Sequence, residues 1–413
     1  MANRYWILGT GTWDATNTVN WSDSSGGLGG FSVPTAADNV FFDANSNVGT
    51  TAFTVTMANT PRVCNDFLAS GLDGTMTLAG SAIGLTVSGS LTFQATRVNP
   101  TYTGFTTFNA TTTGKTITTN GVTLLNPTFN GVGGAWALNS ALTTNGAISF
   151  TNGTLDLNGN SCTTTNRISI NAGTKNITFN GGTLFVGASN ATAFNNSNPT
   201  NFTTTAGTGT GTISMTGAAA KTFVGGGSTF NCTINQGGAG ALTITGSNTF
   251  SNITNTVQPA SILFTAGTTS TFSNFSLSGT AGNLITIGSV TAASHTLSKA
   301  SGTVSSDYLS ISQSTATGGA SWYAGANSTN GGNNSGWVFT APPSAAYSIT
   351  ANAGSYAVAG QTAILTRSRL LSGDFGVYTV TGAAAVIDFG GSPIVDSTQL
   401  YVVLRSFTER RRF

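Results

Sequence analysis

The sequence predicts an all-β fold, a parallel β-solenoid (β-helix) with tryptophan-rich caps and a small C-terminal β module. Three observations predict it. Residues 85–287 repeat a five-residue pattern of apolar, small polar, apolar, small polar and then glycine. It reads Leu85-Thr86-Val87-Ser88-Gly89, Leu155-Asp156-Leu157-Asn158-Gly159, Ile213-Ser214-Met215-Thr216-Gly217, Leu242-Thr243-Ile244-Thr245-Gly246 and Phe275-Ser276-Leu277-Ser278-Gly279. Period-two alternation sends alternate side chains to opposite faces, so each copy reads as a short strand buried on one face. The following glycine admits positive φ and lets the chain turn sharply. Secondly, Phe108, Phe129, Phe150, Phe179, Phe230, Phe250 and Phe272 each precede Asn, Thr or Ser. Their gaps are 21 and 21 residues over 108–129–150, then 20 and 22 over 230–250–272. A unit of that length is the mark of a solenoid. Thirdly, Thr, Val, Ile and Phe dominate, which favour strands. Strong helix formers with charged or amide side chains are scarce, so a helical repeat has no support. With strands about 4.8 Å apart, 200 residues make roughly ten coils, and equivalent phenylalanines stack inside.

The elements follow in order. Residues 1–45 hold Trp6, Trp13 and Trp21. A solenoid's end coil exposes core and an unpaired strand edge, so this segment is expected to be the N-terminal cap. A ligand-binding role for the tryptophans is the alternative. Residues 46–340 are the solenoid, entered through Phe53–Met57 and Met76–Leu78. Asn195-Asn196-Ser197-Asn198 marks a longer loop that interrupts the period, and Asn at equivalent turns can form hydrogen-bonded ladders. Tyr308–Ser312 reads as the last strand, after which Trp322, Tyr323 and Trp337 fold over as the C-terminal cap. Ala341-Pro342-Pro343 opens a stiff linker, 341–344. Residues 345–413 form the C-terminal module: Gly354–Gly360 returns 22 residues later as Gly376–Gly382. It reads as two short hairpin-like repeats, a final strand at Leu400–Leu404 and a basic tail.

Composition narrows the function. Charged residues are 6% of 413, well below the usual quarter, and 25 phenylalanines argue for order over disorder. A net charge of +2 is too small to imply a nucleic-acid partner. No stretch of 18 apolar residues suggests membrane insertion, and Met1–Gly9 does not read as a secretory signal. Cys64, Cys162 and Cys232 are widely spaced and odd in number, so buried free thiols are expected.

β-Helices often carry polysaccharide-cleaving sites, but glycoside hydrolysis normally needs two nearby carboxylates. Between residues 74 and 306 the one acidic residue is Asp156, and the chain's one glutamate is Glu409. His295 is the one histidine, and the basic residues of the solenoid are scattered singly. Clustered metal ligands are lacking. The expectation is no catalytic residue, no cofactor and no metal. The tail offers another chemistry: Arg405, Phe407, Arg410, Arg411, Arg412 and Phe413 read either as a solvated basic end or as a peptide that docks on an acidic surface.

The Trp-rich opening (Tyr5-Trp6, Trp13, Trp21), the Thr/Asn/Gly solenoid and the closure from Trp322-Tyr323-Ala324-Gly325 to Gly336-Trp337 resemble Gly-rich structural proteins of tailed bacteriophages. The Tyr-x-Val-x-Gly repeat and the Arg-Ser-Phe-Thr-Glu-Arg-Arg-Arg-Phe ending are similar to segments of such proteins. The resemblance implies a virion component, a tail fibre or host-recognition adhesin, that forms homo-oligomers, trimers foremost. It implies partners among other virion proteins and a host-surface glycan or protein. A head- or tail-decorating protein without a receptor, and a depolymerising spike enzyme, are the alternative readings.

Overall fold

The structure, a computed structural model, describes residues 1–343 except 48, 50 and 189–191. Beyond them it describes the strands Ala357–Ala359, Ile364–Leu365, Tyr378–Thr381, Val386–Ile387 and Leu400–Val402. The chain divides into two compact units, Met1–Pro342 and Pro343–Phe413.

The first unit is a parallel β-solenoid of about twelve turns. Its strands line up in three faces, and each strand turns alternate residues into the core, as in Phe53–Met57 and Ile148–Asp156. One ladder climbs through Arg62–Cys64, Leu85–Val87 and Thr106–Phe108 to Leu309–Ile311 and Thr329–Asn330. A second climbs through Asn39–Phe42, Phe67–Ala69 and Leu91–Thr92 to Lys175–Thr178 and Phe202–Thr205. The third runs through Ser161–Thr164, Thr183–Val186 and Thr212–Met215 into the later halves of the long strands Thr229–Gln236, Thr249–Asn255 and Thr269–Ser276, from Thr233, Asn252 and Asn274 onward. The five near-copies are therefore not one column. Leu85–Val87 and Leu242–Thr245 lie on the first face, Ile213–Met215 on the third. The role of the glycine also differs by copy. Gly159 does take positive φ (+76), whereas at Gly217 a Cβ would stand 2.1 Å from the Ala188 carbonyl oxygen, so close passage of the neighbouring coil demands glycine there.

Phenylalanines stack as the period predicts, but in two columns. Phe108, Phe129 and Phe150 lie on the first face with centroids 5.2 and 5.1 Å apart, their rings nearly parallel. Phe230, Phe250 and Phe272 form another stack at 5.2 and 5.8 Å on the first halves of the long strands. Asparagine ladders occur where turns repeat: Asn65 Nδ2 donates to Asn39 Oδ1 (2.8 Å), Asn39 Nδ2 to Asn3 Oδ1 (3.2 Å), and Asn152 Nδ2 to Asn130 Oδ1 (3.0 Å).

Residues 1–45 close the lower end and are continuous with the first coil rather than a layer upon it. Asn39–Phe42 pairs in parallel with Phe67–Ala69, and Gly11–Trp13 with Phe53–Met57. Trp21–Ser22 runs antiparallel to Asn3–Trp6, which ends the parallel template. Its outer edge is covered by its own following turn, since the Gly30 amide donates to Thr18 O (3.0 Å) and the Phe31 amide to Trp21 O (3.1 Å). Trp6, Trp13 and Trp21 are all buried and meet edge to face, Trp21 lying 5.1 Å from Trp6 and 5.3 Å from Trp13. At the upper end Tyr308–Ser312 is not the last strand. Ser321–Tyr323 and Trp337–Val338 add further parallel rungs, with Trp322 and Trp337 buried 5.0 Å apart against Phe275. Tyr323 alternates outward and is only half-buried, so it is no part of that aromatic closure.

In the second unit the 22-residue repeat appears as register: Ala357 pairs with Thr379 and Ile364 with Val386, both in parallel. The repeats are thus stacked rungs, not hairpins, and the antiparallel partner is Leu400–Val402 on Tyr378–Thr381.

Candidate functional site

The coils are longest at one place. Along the first face Phe108, Phe129 and Phe150 follow at 21-residue steps, but Ile168 pairs with Phe194 and Phe194 with Phe223, steps of 26 and 29. The extra residues include Asn196–Asn198, whereas Asn195 is paired within the strand Phe194–Asn195. Their effect falls on the second face, where Phe202–Thr205 pairs with Lys175–Thr178 below and, among the described residues, with no strand above. The face resumes only at Thr229–Phe230, which pairs upward with Thr249–Phe250.

Side chains bridge the break. Asn231 Nδ2 donates to Thr204 O and its amide to Thr204 Oγ1, both at 2.7 Å. Buried Asn196 sends Nδ2 to Gly225 O and Ser228 Oγ, both at 2.9 Å, and so fixes the upper wall. Below, the buried Lys175 Nζ donates to Thr200 O and Gly173 O, both 2.8 Å, holding the lip; burial lowers its pKa.

What remains between the walls is an open groove of about 750 Å³, within the roughly 300–1,000 Å³ of small-molecule sites. Its lining includes Thr200, Phe202, Thr203, Thr205, Ser228 and Asn231. Thr203 and Thr205 point outward with hydroxyls donated to Asn176 Oδ1 at 3.0 and 3.2 Å, and Phe202 forms a nearly buried apolar floor. Hydroxyls, an amide, backbone groups and threonine methyls line it; its lining contains no ionisable side chain. Such a surface can exchange hydrogen bonds with a hydroxyl-rich ligand while its methyl groups cover apolar C–H faces.

The titratable residues singled out from the sequence lie elsewhere. Asp156 is tied into a turn: Asn180 Nδ2 donates to both carboxylate oxygens at 2.9 Å and the Asn158 amide to Oδ1 at 2.8 Å. Asp156→Asn is therefore expected to cost about 1 kcal/mol of stability, readable by urea denaturation. The three cysteines are free and buried, and burial raises all three thiol pKa values, that of Cys162 to about 12. Lys221 is buried with Nζ on Gly240 O (2.7 Å), and burial pushes its pKa down to about 8.

His295 is fully buried, stacked 4.8 Å from Phe264, with Nδ1 2.9 Å from Ser289 Oγ and no partner for Nε2. Burial lowers its pKa to about 4. The unfolded chain, with a histidine near 6.5, binds more protons between those values, so stability is full above about 6.5 and falls as pH drops toward 4. The loss amounts to about 3 kcal/mol, and His295→Phe should flatten that limb of the urea midpoint against pH.

The tryptophans of both caps are core residues, and the tail residues Arg405, Phe407, Arg410, Arg411, Arg412 and Phe413 lie outside the described residues. Among the described residues no three His, Cys, Asp or Glu side chains are grouped to hold a metal ion, and no helix is long and apolar enough to cross a membrane. The groove escaped sequence reasoning, although its signal was present: the Asn195–Asn198 loop marks the coil whose extra residues open it. Comparison with family models, curated proteins and solved structures gives no match.

Proposed function

We propose that this chain is a non-enzymatic structural protein of a tailed-bacteriophage virion, a tail fibre or host-recognition adhesin, and that its groove at Phe202–Asn231 binds a host-surface glycan. The observation that carries the recognition part is the chemistry of that groove: hydroxyl and amide groups on a rigid ladder, with no ionisable group among its lining residues. Preformed walls cost little ordering entropy on binding, which suits a weak polyhydroxyl ligand. The virion part rests on the resemblance of the two tryptophan-rich ends and the glycine-rich solenoid. On this reading the chain acts as a homo-oligomer, trimers foremost, beside other virion proteins, and several grooves per particle raise avidity.

The test is retention of fluorescently labelled full-length protein on a panel of bacterial strains before and after periodate oxidation of surface sugars. Retention that periodate abolishes is expected on host strains. Retention indifferent to periodate would move recognition to a protein receptor and remove the groove's role.

A further inference from the structure

The lower end of the solenoid carries an apolar surface that a solubilising cap would not show. Terminal repeats usually turn a polar face outward. Here Leu8, Val19 and Leu28 are 66%, 60% and 86% exposed, and Phe31 is exposed beside them. Three backbone segments bring them together. The Ile7 amide donates to Asn20 O (2.9 Å), placing Leu8 beside Val19. Gly29 packs against Val19 so tightly that a Cβ would stand 2.2 Å from its carbonyl oxygen, and this sets Leu28 next to it. The Gly9 amide on Ser46 O (2.8 Å) joins the Asp43–Ser46 turn to the same face. Leu8 holds φ +69, a left-handed conformation that disfavours a bulky residue.

The surroundings carry more acidic than basic groups. Asp14, Asp23 and Asp43 lie on the turns that carry this patch, against Arg62 near Asp14 and Arg4 at the Phe31 side, where Arg4 Nε meets Ser32 O at 2.9 Å. Over residues 1–73 six aspartates face two arginines. The chemistry that fits is a cationic segment with apolar anchors. The chain contains one, Arg405-Ser406-Phe407-Thr408-Glu409-Arg410-Arg411-Arg412-Phe413, with four arginines, one glutamate and two phenylalanines. The ladder sets the cap and Pro342 at opposite ends of the first unit, so the chain leaves that unit at the end away from its own cap. We propose that the Leu8–Val19–Leu28–Phe31 face docks segment 405–413 of a second copy, a head-to-tail contact between unlike surfaces. Such a contact does not close on itself and extends into a linear array.

The test uses full-length chains. One variant carries Arg410→Gln, Arg411→Gln and Arg412→Gln; another carries Val19→Ser and Leu28→Ser, both exposed positions. The unaltered chain is expected to associate with concentration in sedimentation velocity, at least tenfold more weakly in 0.5 M salt. Each variant alone should lose this association. Their mixture should pair one closed unit of each variant and stop there, because only the caps of one and the tails of the other are functional. A fluorescein-labelled peptide of residues 405–413 should bind the tail variant and bind at least tenfold more weakly when Leu8→Gly is added, with thermal stability not reduced. Failure of the peptide to bind, or equal binding to the cap variant, overturns the proposal. Peptide binding without association of the full chain means the tail engages its own copy and overturns the second-copy assignment. Association of the tail variant that Leu28→Ser abolishes makes the occupant another cap, and likewise overturns it.

Discussion

Phe129→Ala is expected to lower the stability of the solenoid by about 3–5 kcal/mol, the range for truncating a buried aromatic. Phe129 is the middle ring of the Phe108–Phe129–Phe150 stack and also lies 5.7 Å from Trp136, so its removal opens a void bounded by three aromatic side chains. Coils above and below are held rigidly by their ladders and cannot collapse into that void. In a quasi-one-dimensional fold each coil is stabilised mainly by its neighbours. A cut at this level should therefore separate unfolding of the lower coils from that of the upper ones. Urea denaturation followed by far-ultraviolet circular dichroism should show an earlier and broader transition; a midpoint unchanged within error would contradict the stacked core.

Trp21→Ala should cost a comparable 3–5 kcal/mol, but its consequence is local. Trp21 sits between Trp6 and Trp13 and contacts Phe42, so it is the centre of the lower closure. Without it the Trp21–Ser22 strand loses its anchor, and the edge of Asn3–Trp6 that it covers opens to solvent. Hydrogen exchange should accelerate over residues 3–42 while the upper coils keep their protection. Trp21→Phe separates packing from polarity. The Trp21 indole Nε1 is buried without a partner, a cost of about 1–3 kcal/mol that phenylalanine removes while giving up some volume. That variant should stay within about 1 kcal/mol of the unaltered chain. A loss as large as that of alanine would mean the indole nitrogen has a partner.

Much of the fold was legible because two physical periods coincide in the sequence. Alternation in Leu85–Val87 or Leu242–Thr245 gives the strand, and the 21-residue return of Phe129 and Phe150 gives the stacking of coils. Which face each copy occupies was not legible. Ile213–Met215 and Leu242–Thr245 share one pattern yet lie on different faces, because that assignment depends on the residues spent in the intervening turns. The hairpin reading of the C-terminal repeats failed for a related reason: a 22-residue return fits a parallel rung as well as a hairpin, and the pairing of Ala357 with Thr379 decides it. The groove was half legible. Asn195–Asn198 announces a longer coil, but the break above Phe202–Thr205 follows from three-dimensional register alone.

The most direct test of the account is calorimetric titration of a purified host-surface oligosaccharide into the full-length chain and into Thr203→Trp, followed by size analysis of the sugar. Thr203 faces outward from its strand, so tryptophan there fills the groove and leaves the core untouched. Saturable binding to the unaltered chain, at least tenfold weaker binding to the variant (about 1.4 kcal/mol) and an oligosaccharide of unchanged length are the results predicted. Shortened sugar, or equal binding by both proteins, would contradict non-enzymatic recognition at this groove.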